Sequence, residues 1–127
     1  MKLRIKHNTL RLRVSRSDLA SLLATGRIES TIHFTGVAGE KCTYALETKQ
    51  ATDVPGLEYR IAEVTVILPT TQAKTWNDTD QVGIYVFRDL GMGERLELLI
   101  EKDFACLDLS DADNEDTFPN CAVETAF

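Results

Sequence analysis

Apolar and polar residues alternate along most of this chain. In residues 9–14 the apolar positions are Leu10, Leu12 and Val14, with Arg11 and Arg13 between them. Successive side chains of a β-strand point to opposite faces, so this period of two predicts a strand with one apolar face. The same period predicts strands at residues 2–6, 28–34, 41–47, 57–61, 63–68, 82–87 and 95–101. The inward positions of two of these strands are Ile28, Ser30, Ile32 and Phe34, and Val82, Ile84 and Val86.

A change of period after residue 14 predicts a first helix. Ser15 is a favourable N-cap, and Asp18 follows three residues later, in the position of a capping box. Gly26 suits the C-terminal end of this helix. Three leucines fall on one face of it, namely Leu19, Leu22 and Leu23.

A second helix is predicted from Pro69 to about Trp76, because proline is tolerated in a first helical turn. Residues 56–102 thereby follow the same order of elements as residues 2–48, and a shift of 54 residues places Leu10 on Val64 without a gap. We therefore expect an α+β fold. It is a single, mostly antiparallel, barrel-like domain of residues 1–127, built from two ββαββ repeats with two short helices and an irregular acidic tail at residues 103–127.

Residues 57–101 resemble a known repeat. The segment Val64-Thr-Val-Ile-Leu-Pro69 precedes the short helix, Asp80-Gln-Val-Gly-Ile-Tyr-Val86 follows it, and Leu96-Glu-Leu-Leu-Ile100 comes after a glycine turn. This order is similar to the swapped-hairpin repeat of the AbrB type, a relative of the cradle-loop barrels that close a barrel from two such units. The whole chain also looks like a small group of uncharacterised bacterial proteins of unknown function.

The AbrB-type resemblance implies a DNA-binding regulator with basic residues in the helix and the adjoining loops. The second helix of this chain offers only Lys74, with Asp78 and Asp80 close behind it. The first half supplies more positive charge. The resemblance therefore carries the fold more directly than the function.

Charge is distributed unevenly over this chain of net charge −6. Residues 1–16 contain six basic residues and no acid, whereas residues 103–127 contain seven acids and no lysine or arginine. The basic segment predicts a site for nucleic-acid phosphates, because arginines that alternate along a strand share a face. Its candidate residues are Arg4, Lys6, Arg11, Arg13 and Arg16. The alternative is that the basic segment is a solvated face or docks the acidic tail.

Thiols and carboxylates in the last quarter of the chain form a candidate metal site. Its residues are Asp103, Cys106, Asp111, Asp113 and Cys121. Their spacing differs from the close cysteine pairs of zinc sites, and the acidic stretch lacks the glycine of an EF-hand loop. The alternative is a solvated acidic loop with buried thiols.

No residue spacing in the sequence matches a catalytic motif, which favours a non-enzymatic interaction protein that binds a protein partner or a second copy of itself. A DNA-binding regulator is one alternative, and a metal protein or enzyme that uses the C-terminal cysteines and carboxylates is another. No cofactor is implied. The absence of a signal-like or spanning apolar run predicts a cytoplasmic protein away from membranes. Tyr85 and Phe87 point away from the inward face of their strand, so they are either covered within the chain or exposed to a partner.

Overall fold

The computed structural model describes residues 1–104 and 116–118 and contains eight strands and two helices. The α+β class predicted from the sequence is confirmed. In chain order the elements are β1 (Lys2–Lys6), β2 (Thr9–Val14), α1 (Arg16–Thr25), β3 (Arg27–His33), β4 (Lys41–Lys49), β5 (Gly56–Arg60), β6 (Glu63–Pro69), α2 (Thr70–Asp78), β7 (Gly83–Gly91) and β8 (Glu94–Lys102).

Helix α1 has the ends that its sequence predicts. The backbone N–H of Asp18 donates to Ser15 Oγ and the N–H of Ser15 donates to Asp18 Oδ2, each at 3.1 Å. These two bonds form a reciprocal capping box. At the other end Gly26 takes a φ of +83° and donates its N–H to the carbonyl of Leu22 at 2.8 Å. A left-handed residue at this position ends the helix.

The strands form two four-stranded sheets, with orders β1-β2-β8-β7 and β3-β4-β6-β5. In each sheet the outer pairs are antiparallel and the central pair, β2–β8 or β4–β6, is parallel. The closed barrel expected from the sequence is not found among the residues described. Because the hairpins join through their inner strands, each sheet keeps two edge strands instead of closing on itself.

The chain divides into two compact units. The first unit contains residues 1–19 and the described chain from residue 82 onward, and the second contains residues 20–81. Buried apolar side chains of the first unit are Leu10, Leu12, Val14, Leu19, Ile84, Leu98 and Ile100. Those of the second unit are Leu22, Ala45, Leu46, Val66, Ile67, Leu68, Ala73 and Trp76.

The predicted inward positions fail near strand ends. Ile32 and Phe34 are 49% and 66% exposed, although alternation places them on the inward face. The reason is that β4 pairs with β6 only from Thr43 onward, so the tip of the β3–β4 hairpin has no neighbouring strand beyond that residue. Val82 precedes β7 and is 45% exposed. Alternation thus predicts burial only where a strand lies within its sheet.

Candidate functional site

Strands β1 and β2 place basic side chains on one face of the first sheet. Arg4 lies directly opposite Arg11, and Lys2 lies opposite Arg13. Opposite residues of an antiparallel pair share a face. The intervening residues of β2 are apolar and buried, which leaves the charged set on the other face. We call this set the basic face, and it consists of Lys2, Arg4, Lys6, Arg11 and Arg13.

The parallel pairing of β2 with β8 continues this face into the second half of the chain. Arg11 lies beside Leu99, which is opposite Tyr85 on β7. One row across the sheet is therefore Arg4, Arg11, Leu99 and Tyr85. The row on one side is Lys6, Thr9, Glu97 and Phe87, and the row on the other side is Lys2, Arg13, Glu101 and Gly83.

Glu101 joins the basic side of the face to the aromatic side. Its Oε1 lies 2.9 Å from Arg11 Nε, and its Oε2 accepts a hydrogen bond from Tyr85 Oη at 3.1 Å. Partial burial, together with this hydrogen bond and the carboxylate charge, raises the pKa of the Tyr85 phenol. Tyr85 is thus held in one position across the strand by its hydroxyl group.

Three cations of the basic face have no ion pair with any residue that the structure describes. These are Arg4, Lys6 and Arg13, all exposed, whereas Lys2 pairs with Asp103 at 2.8 Å. A surface concavity of about 210 Å³ lies at this place, lined by Arg4, Lys6, Thr9 and Arg11. The hydroxyl of Thr9 donates to Glu97 at 3.1 Å, on the side of the concavity nearer β8. The arrangement offers several hydrogen-bond donors to an anion and little competing acid.

Arg16, which the sequence groups with these cations, lies elsewhere. It begins α1, and its backbone N–H donates to the carbonyl of Asp116 at 3.1 Å. The Asp116 carboxylate also accepts hydrogen bonds from the N–H and the hydroxyl of Ser17. The bonds from Ser17, with smaller contributions that include the charge of Arg16, lower the pKa of Asp116. The four other predicted residues share one face, and Arg16 instead neighbours an acid.

One residue of the candidate metal site lies in the described chain. Asp103 is buried and its Oδ2 pairs with Lys2 Nζ. The other four, Cys106, Asp111, Asp113 and Cys121, lie outside the described residues. Within residues 1–104 and 116–118, no three histidine, cysteine or acidic side chains form a group that could hold a metal ion. The metal site stays a prediction.

Two aromatic side chains complete the face, and sequence reasoning did not connect them to the cations. Tyr85 and Phe87 are 47% and 55% exposed, so their rings are open to a partner and are not covered by the described chain. The guanidinium carbon of Arg95 lies 4.6 Å from the centre of the Phe87 ring. Alternation places both rings on one side of β7, but only the pairing of β2 with β8 brings that side next to Arg11.

Comparisons with known proteins give a family and no named relative. No curated protein and no solved structure matches the chain, so the AbrB-type resemblance stays a prediction. In the part of the chain that the structure describes, neither helix is long and apolar enough to cross a membrane. Residues 1–122 match a family described as a family of unknown function, DUF7009, and the chain belongs to that family.

Proposed function

We propose that this chain is a non-enzymatic binding protein, and that its basic face holds a phosphate-bearing anion. The observation that carries the proposal is the cluster of exposed Arg4, Lys6 and Arg13 around Arg11, without ion pairs to the described residues, in a chain of net charge −6. Arginine matches the geometry of phosphate oxygens, and lysine adds a mobile charge. The lined concavity gives such a group a place to sit.

The like-charged pairs on β1 and β2 support a binding role over that of a solvated face. Arg4 opposes Arg11 and Lys2 opposes Arg13, and like charges directly opposite destabilise a sheet. Two unit charges a few ångströms apart repel by on the order of 1 kcal/mol in water. Asp103 and Glu101 offset the charges of Lys2 and Arg11. A bound anion would offset the rest.

The alternative that the acidic tail covers the basic face has partial support. The described acid Asp116 contacts α1 at Ser17 and does not contact the basic face. Residues 105–115 lie outside the description. The experiment below therefore uses the full chain, so that any competition from the tail is retained.

The fold part of the proposal is that the chain contains two related halves with exchanged hairpins, as in the AbrB-type resemblance. Leu10 pairs with Leu98, and 54 residues later Val64 pairs with Tyr44. Each sheet contains one hairpin from each half. The shift is not uniform, because Glu47 corresponds to Glu101 at 54 residues while their partners Arg27 and Gly83 differ by 56. The expected alignment without a gap is therefore wrong at β3 and β7, where the connection before β7 is longer and the following turn is shorter.

A single cooperative domain and a cytoplasmic location belong to the same proposal. Helix α1 begins in the first unit and ends in the second, and one unfolding transition seen by all probes would support a single domain. Cys42 is a free thiol, which fits a reducing compartment. Self-association through an edge strand stays a prediction.

The test is binding of inorganic polyphosphate at low salt, measured by calorimetry with the full chain. The variant replaces Arg4, Lys6 and Arg13 by glutamine. The matched control replaces Lys41, Arg60 and Lys74, exposed cations of the second unit, by glutamine and changes the net charge equally. We expect the face variant to lose at least about tenfold in affinity, equivalent to about 1.4 kcal/mol, and the control to change little. Equal losses in both variants, or no binding by the wild type, would overturn the proposal.

A further inference from the structure

We infer that the anion held by the basic face is a single-stranded nucleic acid, with its phosphates on β1 and β2 and its bases on β7. The inference rests on the proposed function and adds the chemical class of the ligand. Adjacent strands lie about 4.8 Å apart, so Arg11 on β2 and Tyr85 on β7 are separated by about 10 Å along one row of the sheet. A nucleotide carries a charged phosphate at one end and a flat base at the other. Such a ligand can use both sides of this face.

The exposed rings have the spacing that unstacked bases need. Tyr85 and Phe87 are two residues apart on one face of β7, which is about 6.7 Å along a strand. This spacing exceeds the separation of stacked bases, about 3.4 Å, so two neighbouring bases would splay apart and each could lie on its own ring. Single-stranded binding proteins use aromatic side chains in this way.

Both stacking positions are fixed before a ligand arrives. The hydroxyl of Tyr85 is bonded to Glu101 and lies close to Gly83, because a Cβ on Gly83 would be 3.1 Å from Tyr85 Oη. Phe87 carries the guanidinium of Arg95 over its ring, and that guanidinium lies 3.5 Å from Glu97. A guanidinium plane also stacks on bases. Fixed partners reduce the ordering cost of binding.

The acids of β8 favour a single strand over a duplex. Glu97 and Glu101 lie in the middle of the face, between the cations and the rings. Phosphates are repelled from this strip and remain on β1 and β2, while carboxylates accept hydrogen bonds from exocyclic amino groups of bases. A duplex has phosphates on both strands, and its paired bases cannot lie on the rings. An acidic peptide would use the cations and leave the rings without a role.

The test is fluorescence anisotropy of the full chain with four labelled probes at low salt. These are a 12-nucleotide oligocytidylate, an abasic strand of the same length and charge, a 12-base-pair duplex and a polyglutamate peptide. We expect the oligocytidylate to bind more tightly than each of the other three. Since stacking contributes about fivefold or more in affinity for each base, the two rings together should separate it from the abasic strand by about 25-fold or more.

The variant Tyr85→Leu with Phe87→Leu removes the rings and keeps apolar side chains. We expect it to bind the oligocytidylate no better than the abasic strand, with its polyphosphate affinity unchanged. The matched control, Phe34→Leu with Tyr59→Leu, removes two exposed rings from the second unit, and Tyr85→Phe keeps the ring without its hydroxyl. Both should retain most of the difference between the two strands. Melting curves verify that each variant is folded.

Each contrary result has a distinct meaning. Equal binding of the oligocytidylate and the abasic strand overturns the nucleic-acid inference but leaves an anion site. Tighter binding of the duplex overturns the single-strand assignment. Tighter binding of polyglutamate assigns the face to an acidic peptide and overturns the inference. No binding of any probe, with no binding of polyphosphate, overturns the proposed function as well.

Discussion

Replacing Gly83 by alanine would disturb the packing that positions Tyr85. A Cβ at residue 83 would lie 2.5 Å from the carbonyl oxygen of Ile100, 3.0 Å from Glu101 Cγ and 3.1 Å from Tyr85 Oη. The nearest of these atoms belongs to the backbone of β8, so a side-chain rotation cannot relieve the contact. The sheet must therefore separate locally, or Gly83 must leave its pairing with Glu101.

The cost follows from opposing contributions. Overpacking of this kind costs about 1–3 kcal/mol, and weakening the half-exposed bond from Tyr85 to Glu101 adds about 0.5 kcal/mol. Alanine also restricts the unfolded chain, which returns about 0.5 kcal/mol. We therefore expect Gly83→Ala to lower the free energy of unfolding by about 1–3 kcal/mol.

Urea denaturation followed by circular dichroism measures this change as a lower midpoint at unchanged slope. The matched control is Gly36→Ala, because a Cβ at Gly36 meets no atom within 4 Å. The control should stay within about 0.5 kcal/mol of the wild type. If Gly83→Ala were as stable as the control, the close approach of β7 to β8 at this residue would be wrong, and with it the fixed position of Tyr85.

Further predictions concern charge, capping and pH. With four phosphate contacts on the basic face, the logarithm of the affinity for a single strand should fall with the logarithm of salt concentration at a slope of about −2.8, and a slope near zero in an anisotropy titration would contradict the electrostatic contact. Ser15→Ala should lower the free energy of unfolding by about 1 kcal/mol, because the N–H of Asp18 loses its cap, and Ser21→Ala is a control on the exposed face of α1. The pKa of Tyr85 is raised in the folded chain, so folding favours the protonated phenol, and its contribution is complete below the usual value of about 10 and is lost as pH rises above it. The wild type should therefore lose stability above pH 10 more steeply than Tyr85→Phe in urea melts, and parallel curves would contradict the shift.

Local signals in the sequence predict the elements well. The period of two locates all eight strands, and Ser15, Asp18 and Gly26 mark both ends of α1. These features depend on neighbouring residues only, so the chain carries them within each segment. Burial at Ile32 and Phe34 depends instead on which strand lies alongside, and there the pattern misleads.

The candidate site is predictable only in part for the same reason. Arg11 and Arg13 share a strand face by alternation, and the basic hairpin follows from the sequence. The contribution of Tyr85 and Phe87 requires the parallel register of β2 with β8, in which Arg11 lies beside Leu99. Residues this far apart in sequence are brought together by packing of the whole sheet, and no local pattern specifies which strands become neighbours.

Nuclear magnetic resonance titration of the full, ¹⁵N-labelled chain with unlabelled oligocytidylate tests the central claim most directly. The proposed surface predicts saturable shifts of backbone amides in β1, β2, β7 and β8, largest around Arg4, Arg11, Tyr85 and Phe87, with the second unit little changed. Shifts confined to the second unit, or the absence of saturable shifts at low salt, would contradict the assignment of the basic face and its aromatic edge as the binding surface.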